Sequence, residues 1–116
     1  MRTDPLSIED AAGTRDGDRV LRLSGPLVIS NLFDFQSKIR SDQSHRLIID
    51  FTNVPYVDSA GIGALVGAQV SHSKQGRSLA LVGVNQRVVN ALKVTHVENL
   101  FRIFDSQAAA EQSLGA

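Results

Sequence analysis

The 116 residues contain no cysteine, which excludes thiol catalysis, disulfide frameworks and thiolate metal sites. They also contain no tryptophan and a single tyrosine, leaving few platforms on which nucleic-acid bases could stack. Charge of one sign is not in excess. Twelve Lys and Arg balance twelve Asp and Glu, so no global field draws nucleic acid or anionic lipid to the chain. The arginines run from Arg2 to Arg102 without forming a block. Long apolar runs are missing as well: Ala60 to Ala68 spans nine residues, rich in Gly and Ala, whereas a bilayer span needs about 20. Met1-Arg2-Thr3-Asp4-Pro5 leads into acidic and polar residues, so no signal peptide is visible. These absences point to a soluble, cytoplasmic chain with no nucleic-acid partner, no membrane, no metal and no cofactor.

A hydrophobic fraction of 42% and a charged fraction of 21% are ordinary for a globular protein. The length suits one domain over residues 1–116, which buries roughly two-thirds of its unfolded surface. Leu6 and Ile8 alternate with polar neighbours, Asp16-Gly17 offers a tight turn, and Val20 to Leu23 return as a second strand that Ser24-Gly25-Pro26 stops. Leu32, Phe35 and Ile39 fall on one helical face, with Ser30 and Asn31 as candidate caps. Leu47 to Phe51 is a nearly continuous apolar run, as in a strand covered on both faces.

A second helix begins near Ser59-Ala60, carries the stripe Ile62, Leu65, Val66 and Val70, and ends at Gly76. Leu79 to Val84 follows as a strand, and Asn85 is placed to cap a helix carrying Val88, Val89 and Leu92. A short strand, Phe101 to Phe104, precedes a last helix from about Ser106 to Leu114. The order β-β-α-β-α-β-α-β-α predicts an α/β fold. Its mixed sheet of about four to five strands, with about four helices, starts antiparallel and continues through right-handed parallel crossovers.

The segment Tyr56-Val57-Asp58-Ser59-Ala60-Gly61-Ile62-Gly63 lies after the central strand, where open α/β sheets usually place their sites. A nucleophile elbow would require Gly at Val57. A dinucleotide fingerprint begins at Gly61 and Gly63 but then meets Val66, and no Gly-Lys-Ser or Gly-Lys-Thr exists for a P-loop. Ser59 is placed to cap the helix, with its hydroxyl accepting from N–H groups one turn in. Gly61 and Gly63 carry no bulk, so another surface could approach the first turn. A phosphate on Ser59 would sit where unpaired N–H groups and the helix dipole favour an anion. Spacing alone leaves both readings of Ser59 open, a cap only or an acceptor.

Asp50 to Gly63, read as D-F-T-N-V-P-Y-V-D-S-A-G-I-G, resembles the signature of the STAS domain and in particular of the anti-sigma-factor antagonists. Val94 to Phe101 is similar to that family's later threonine-containing turn, and Ser24-Gly25-Pro26-Leu27 to its glycine turn after the second strand. The likeness covers about residues 20 to 112. It implies a non-enzymatic, monomeric binding module in which Ser59 accepts phosphate from a partner serine kinase that also sequesters a sigma factor. The unmodified antagonist holds that kinase, the phosphorylated form lets go, and a phosphatase resets it. Asp58, Ser59, Ala60, Gly61, Ile62 and Gly63 would form the contact surface, with Asp58 adding like-charge repulsion after phosphorylation.

Two positions depart from the family pattern. Val28 stands where an acidic residue near the acceptor is common, and Thr95-His96-Val97 replaces a threonine-glycine-leucine turn, which argues against left-handed backbone there. Two relatives of other roles share the domain type: a scaffold subunit of a stress-signalling assembly and an accessory subunit of a lipid-transport ABC system.

Among the remaining residues, His45, His72 and His96 are expected to be ordinary surface or capping histidines. Phe33, Phe35, Phe51, Phe101 and Phe104 are expected in the core. Asp50 is as readily structural as functional, and Thr95 reads as a turn residue rather than a second phosphorylation site.

Overall fold

The computed structural model describes residues 5–114, so the expectation for the N-terminal residues lies mostly outside the described part. Strands β1 (Ser7–Ala12) and β2 (Asp18–Ser24) pair antiparallel, with Ile8 opposite Leu23 and Ala11 opposite Val20. Five residues connect them, and Gly17 at φ +87° closes the loop in the left-handed region that Gly adopts freely. Strands β3 (Arg46–Asn53), β4 (Ser78–Val82) and β5 (Arg102–Phe104) add in parallel, in the order β1-β2-β3-β4-β5. Helices α1 (Leu32–Ser41), α2 (Ser59–Lys74) and α3 (Gln86–Val94) connect the parallel strands, and α4 (Gln107–Leu114) follows β5. The expected element order and mixed sheet are both present.

The period-2 alternation of the strands divides two apolar layers. Leu21, Leu23, Leu47, Ile49, Phe51, Leu79 and Leu81 face α1, α2 and α3 in the main core. Their neighbours Val20, Ile48, Ala80 and Val82 face the other way, against Ala110 of α4. Phe51, Leu47 and Ile49 are wholly buried, and each such side chain contributes roughly 1.5–3 kcal/mol of burial. Helix α4 is tied back to the hairpin by a hydrogen bond from Thr14 Oγ1 to Glu111 and by Arg22 Nη2 to Gln107 Oε1 at 3.1 Å.

Several local expectations shift. Val70 is 43% exposed, and the buried stripe of α2 runs through Ile62, Leu65, Ala68 and His72 instead. Phe33 is 74% exposed, because it follows Leu32 by one residue and points away from the face shared by Leu32 and Phe35. Asn31 precedes α1 without a side-chain cap. A 3-10 turn, Ile29–Asn31, leads into the helix, and Asn31 Nδ2 donates to the Pro26 carbonyl at 3.1 Å.

His72 is not a surface residue: it is 1% exposed. Gly76 ends α2 at φ +70°, with Arg77 N donating to His72 O and Gly76 N to Ser73 O, a Schellman closure. Helix α3 closes the same way, with Val97 N donating to Leu92 O and His96 N to Lys93 O. His96 takes the left-handed position at φ +61°, so the loss of Gly there did not change the backbone. The two hydrogen bonds, and the inward packing of Val97, hold a conformation that costs a non-glycine residue roughly 1–2 kcal/mol.

Candidate functional site

Three segments meet beyond the end of β3. Val54 N donates to Phe51 O at 2.9 Å and turns the chain out of the strand. Leu27 N then donates to Tyr56 O at 3.2 Å, Asp58 N donates to Leu27 O at 3.3 Å, and Leu27 bridges Val57 in parallel. From the other side, Asn85 Nδ2 donates to Val54 O at 3.0 Å while its Oδ1 accepts from Val88 N at 2.9 Å, capping α3 as expected. The loop before α2 is thereby fixed against the segment after β2 and the start of α3.

Asp58, not Ser59, caps α2. Its Oδ1 accepts from Gly61 N at 2.8 Å and its Oδ2 from Ile29 N at 3.0 Å. The two carboxylate oxygens thus take one donor each from separate segments. Ser59 is instead the first residue of the helix. Its hydroxyl has no hydrogen-bond partner among the described residues, and the residue is exposed.

The other signature residues divide by face. Gly61 and Ile62 are buried, Ala60 is half-buried and Gly63 is exposed. A Cβ on Gly61 would overlap the Leu27 carbonyl, so its missing side chain admits this chain's own backbone. A Cβ on Gly63 would meet nothing within 4 Å, leaving open space at that turn.

Around Ser59 the surface is partly apolar. Ile29, whose backbone N–H donates to Asp58, is 73% exposed. A cleft of about 380 Å³ is lined by Ser59, Tyr56, Arg87 and Val94, among others, and Val94 is 77% exposed. Arg87 stacks over Tyr56, its guanidinium carbon 4.9 Å from the ring centroid. Sequence reasoning passed over Ile29, Arg87 and Val94, and expected Phe33 in the core. The signal for Phe33 was its position off the buried stripe; for Arg87 it was a cation in the first turn of a helix.

The remaining candidates have local roles. Asp50 Oδ1 accepts from Thr52 N at 2.9 Å and from Thr52 Oγ1 at 2.6 Å, and its Oδ2 lies 3.9 Å from Arg22. Thr95 Oγ1 donates to the Ala91 carbonyl at 2.9 Å, within the turn that ends α3. Val28 is half-buried beside the pair formed by Ile29 and Asp58. His45 precedes β3 and His96 follows α3. Among the described residues no three His, Asp or Glu side chains gather as a metal site would require.

His72 belongs to a buried cluster. Its Nδ1 lies 2.9 Å from Ala68 O and its Nε2 3.2 Å from Asp42 Oδ2, which also receives Arg77 Nη1 at 3.3 Å. Burial works to raise the Asp42 pKa, but hydrogen bonds from His72 and Ser44 outweigh it and hold the carboxyl below its ordinary value.

Fold and site together define a small α/β domain that presents a free hydroxyl at a helix start, within a partly apolar surface. Residues 11–110 match the profile of the STAS domain, and the chain belongs to that family. It is 25% identical over 101 residues to the anti-sigma-B factor antagonist of Staphylococcus aureus, a match that covers 84% of this chain and 92% of that protein. A crystal structure of a candidate anti-sigma factor antagonist from Thermotoga maritima superposes with a TM-score of 0.86 at 21% identity, covering 94% of this chain and 95% of that one. The anti-sigma factor antagonist SpoIIAA in its unphosphorylated form gives 0.75 at 18% identity, over 95% of this chain and 98% of that one. The phosphorylated Bacillus form gives 0.71 at 14%, over 92% and 99%. At these identities the structural likenesses establish the fold. Among the described residues no helix is long and apolar enough to cross a membrane.

Proposed function

We propose that this chain is an anti-sigma-factor antagonist that holds an anti-sigma serine kinase while Ser59 is unmodified and releases it when Ser59 is phosphorylated. A phosphatase then restores the binding form. The observation that carries the proposal is the free, exposed Ser59 hydroxyl at the start of α2, in a cleft shared with exposed Val94 and next to Asp58, which holds exposed Ile29. A hydroxyl that serves as a cap is held by a backbone N–H of the first turn. This one leaves capping to Asp58 and stays available for transfer. Exposed apolar side chains grouped around it suit a docking surface. The names of the Staphylococcus aureus relative and of SpoIIAA in two phosphorylation states support the same reading.

The energetics favour an interface switch over a change of fold. Inverting partner occupancy from 99:1 to 1:99 takes about 5.5 kcal/mol of differential affinity. A phosphate at an exposed helix start gains only roughly 0.3–1 kcal/mol from the dipole, which neither unfolds the domain nor drives release. Roughly two negative charges pressed unpaired into an apolar contact cost several kcal/mol, which is the right order. Asp58 adds a like charge beside them.

Intact-mass and phosphosite mapping of the protein from its own cells tests this directly, alongside Ser59→Ala. One phosphate on Ser59, absent from the variant, is the expected result, with kinase capture by the unmodified chain and not by the phosphorylated one. An unmodified Ser59 in both growing and stressed cells would remove the switch and favour a constitutive scaffold.

A further inference from the structure

Arg87 occupies an unusual position. It lies in the first turn of α3, which has no acidic residue, so its guanidinium faces the positive end of the helix dipole. Among the described residues it has no hydrogen-bond or ion-pair partner; its contact is the Tyr56 ring. A cation placed against its helix dipole with no carboxylate to compensate breaks a local rule, and such breaks concentrate at functional positions. Arg87 is also the cationic side chain lining the cleft that contains the Ser59 hydroxyl, and Asp58 is the anionic one. Both Asp58 carboxylate oxygens are already engaged by backbone N–H groups, so Asp58 does not take up the guanidinium.

We infer that Arg87 is the receptor for the phosphate on Ser59: after phosphorylation its guanidinium leaves the Tyr56 ring and pairs with the phosphate across the shared cleft. The inference rests on Ser59 as the acceptor. A guanidinium offers paired N–H donors matched to phosphate oxygens, a stronger contact than stacking on an exposed ring. Asn85 fixes the start of α3 to the loop carrying Tyr56, so the rearrangement is confined to the Arg87 side chain. Its consequence is a change of surface in two places at once. Negative charge appears at Ser59, and the face of Tyr56, a stacked and half-covered ring before modification, opens beside it.

Tyr56 is the only tyrosine and the chain has no tryptophan, so its fluorescence reports the stacking without interference. The test uses the full chain with phosphoserine installed at position 59 by genetic encoding, in the parent, Arg87→Gln and Arg87→Lys. Phosphorus NMR follows the second ionisation of the phosphate, ordinarily near 6. An opposite charge favours the dianion, so the parent is expected to titrate about half a pH unit below Arg87→Gln, with Arg87→Lys between them. Tyr56 emission is expected to change on phosphorylation in the parent and not in Arg87→Gln. Coincident titrations in the parent and Arg87→Gln would show a phosphate standing free in solvent and would overturn the assignment. Because the phosphate is installed, this outcome is independent of whether cells modify Ser59. Arg87 is exposed, and an unchanged thermal midpoint in both variants confirms that they compare the same fold.

Discussion

At position 58 one carboxylate accepts from Gly61 N at 2.8 Å and from Ile29 N at 3.0 Å, joining the start of α2 to the 3-10 turn before α1. The two donors belong to segments 29 residues apart on one side and three on the other, so the carboxylate fixes the geometry in which Ser59 is displayed. Asp58→Ala is expected to cost about 1–2 kcal/mol in urea unfolding, the upper range for loss of a cap. Asp58→Asn keeps one oxygen for Gly61 and is expected to lose less. Equal stability of Asp58→Ala and the parent would show that neither bond matters. The Asp-Ser pair was legible in the sequence as a helix start, but not the division of labour between its members. Both residue types cap helices, and the choice was made by Ile29 arriving beside Asp58.

The contact between α1 and α2 depends on a cluster that periodicity did not reveal. Asp42, beyond the C-terminal end of α1, is nearly wholly buried and accepts from Arg77, with His72 of α2 at 3.2 Å and Arg19 Nε at 3.8 Å. The Asp42 pKa is held low, so its contribution to stability is fully present above the unfolded value near 3.9 and is lost as pH falls through the folded value. Urea midpoints measured from pH 7 down to pH 2 should therefore decline in acid, and Asp42→Asn should remove the part of that decline due to this group. An unaltered acid limb in the variant would assign the decline to other carboxylates. His72 reads as a surface or capping residue because hydropathy patterns register apolar stripes, and a histidine on a buried stripe is indistinguishable from one facing water.

For the molecule as a whole, a five-stranded sheet covered by three helices on one face and by α4 on the other isolates the Ser59 surface at one end, beyond β3. Nothing in the two cores includes Ser59, so its modification is expected to leave the fold in place. The thermal midpoint of the chain carrying phosphoserine at 59 should hold or rise by no more than about 5 °C, the shift expected for up to 1 kcal/mol in a domain of this size. A fall of about 10 °C or more would mean that phosphorylation acts by loosening the domain, contrary to an interface switch.

The sequence by itself determined the order of elements, the antiparallel start, the burial of β3 and β4, the Asn85 cap and the position of Ser59 at a helix start. These follow from local spacing and turn chemistry, which a chain carries wherever it folds. Only the tertiary structure decided which apolar residues stay outside, since Phe33 and Val70 become surface when no element covers them. It also decided that His96 would keep a left-handed backbone, because the two closing hydrogen bonds of α3 outweigh the preference of a non-glycine residue. And it brought Ile29 to Asp58, and Arg87 and Val94 to Ser59, because their proximity arises from the loop contacts among three segments distant in sequence.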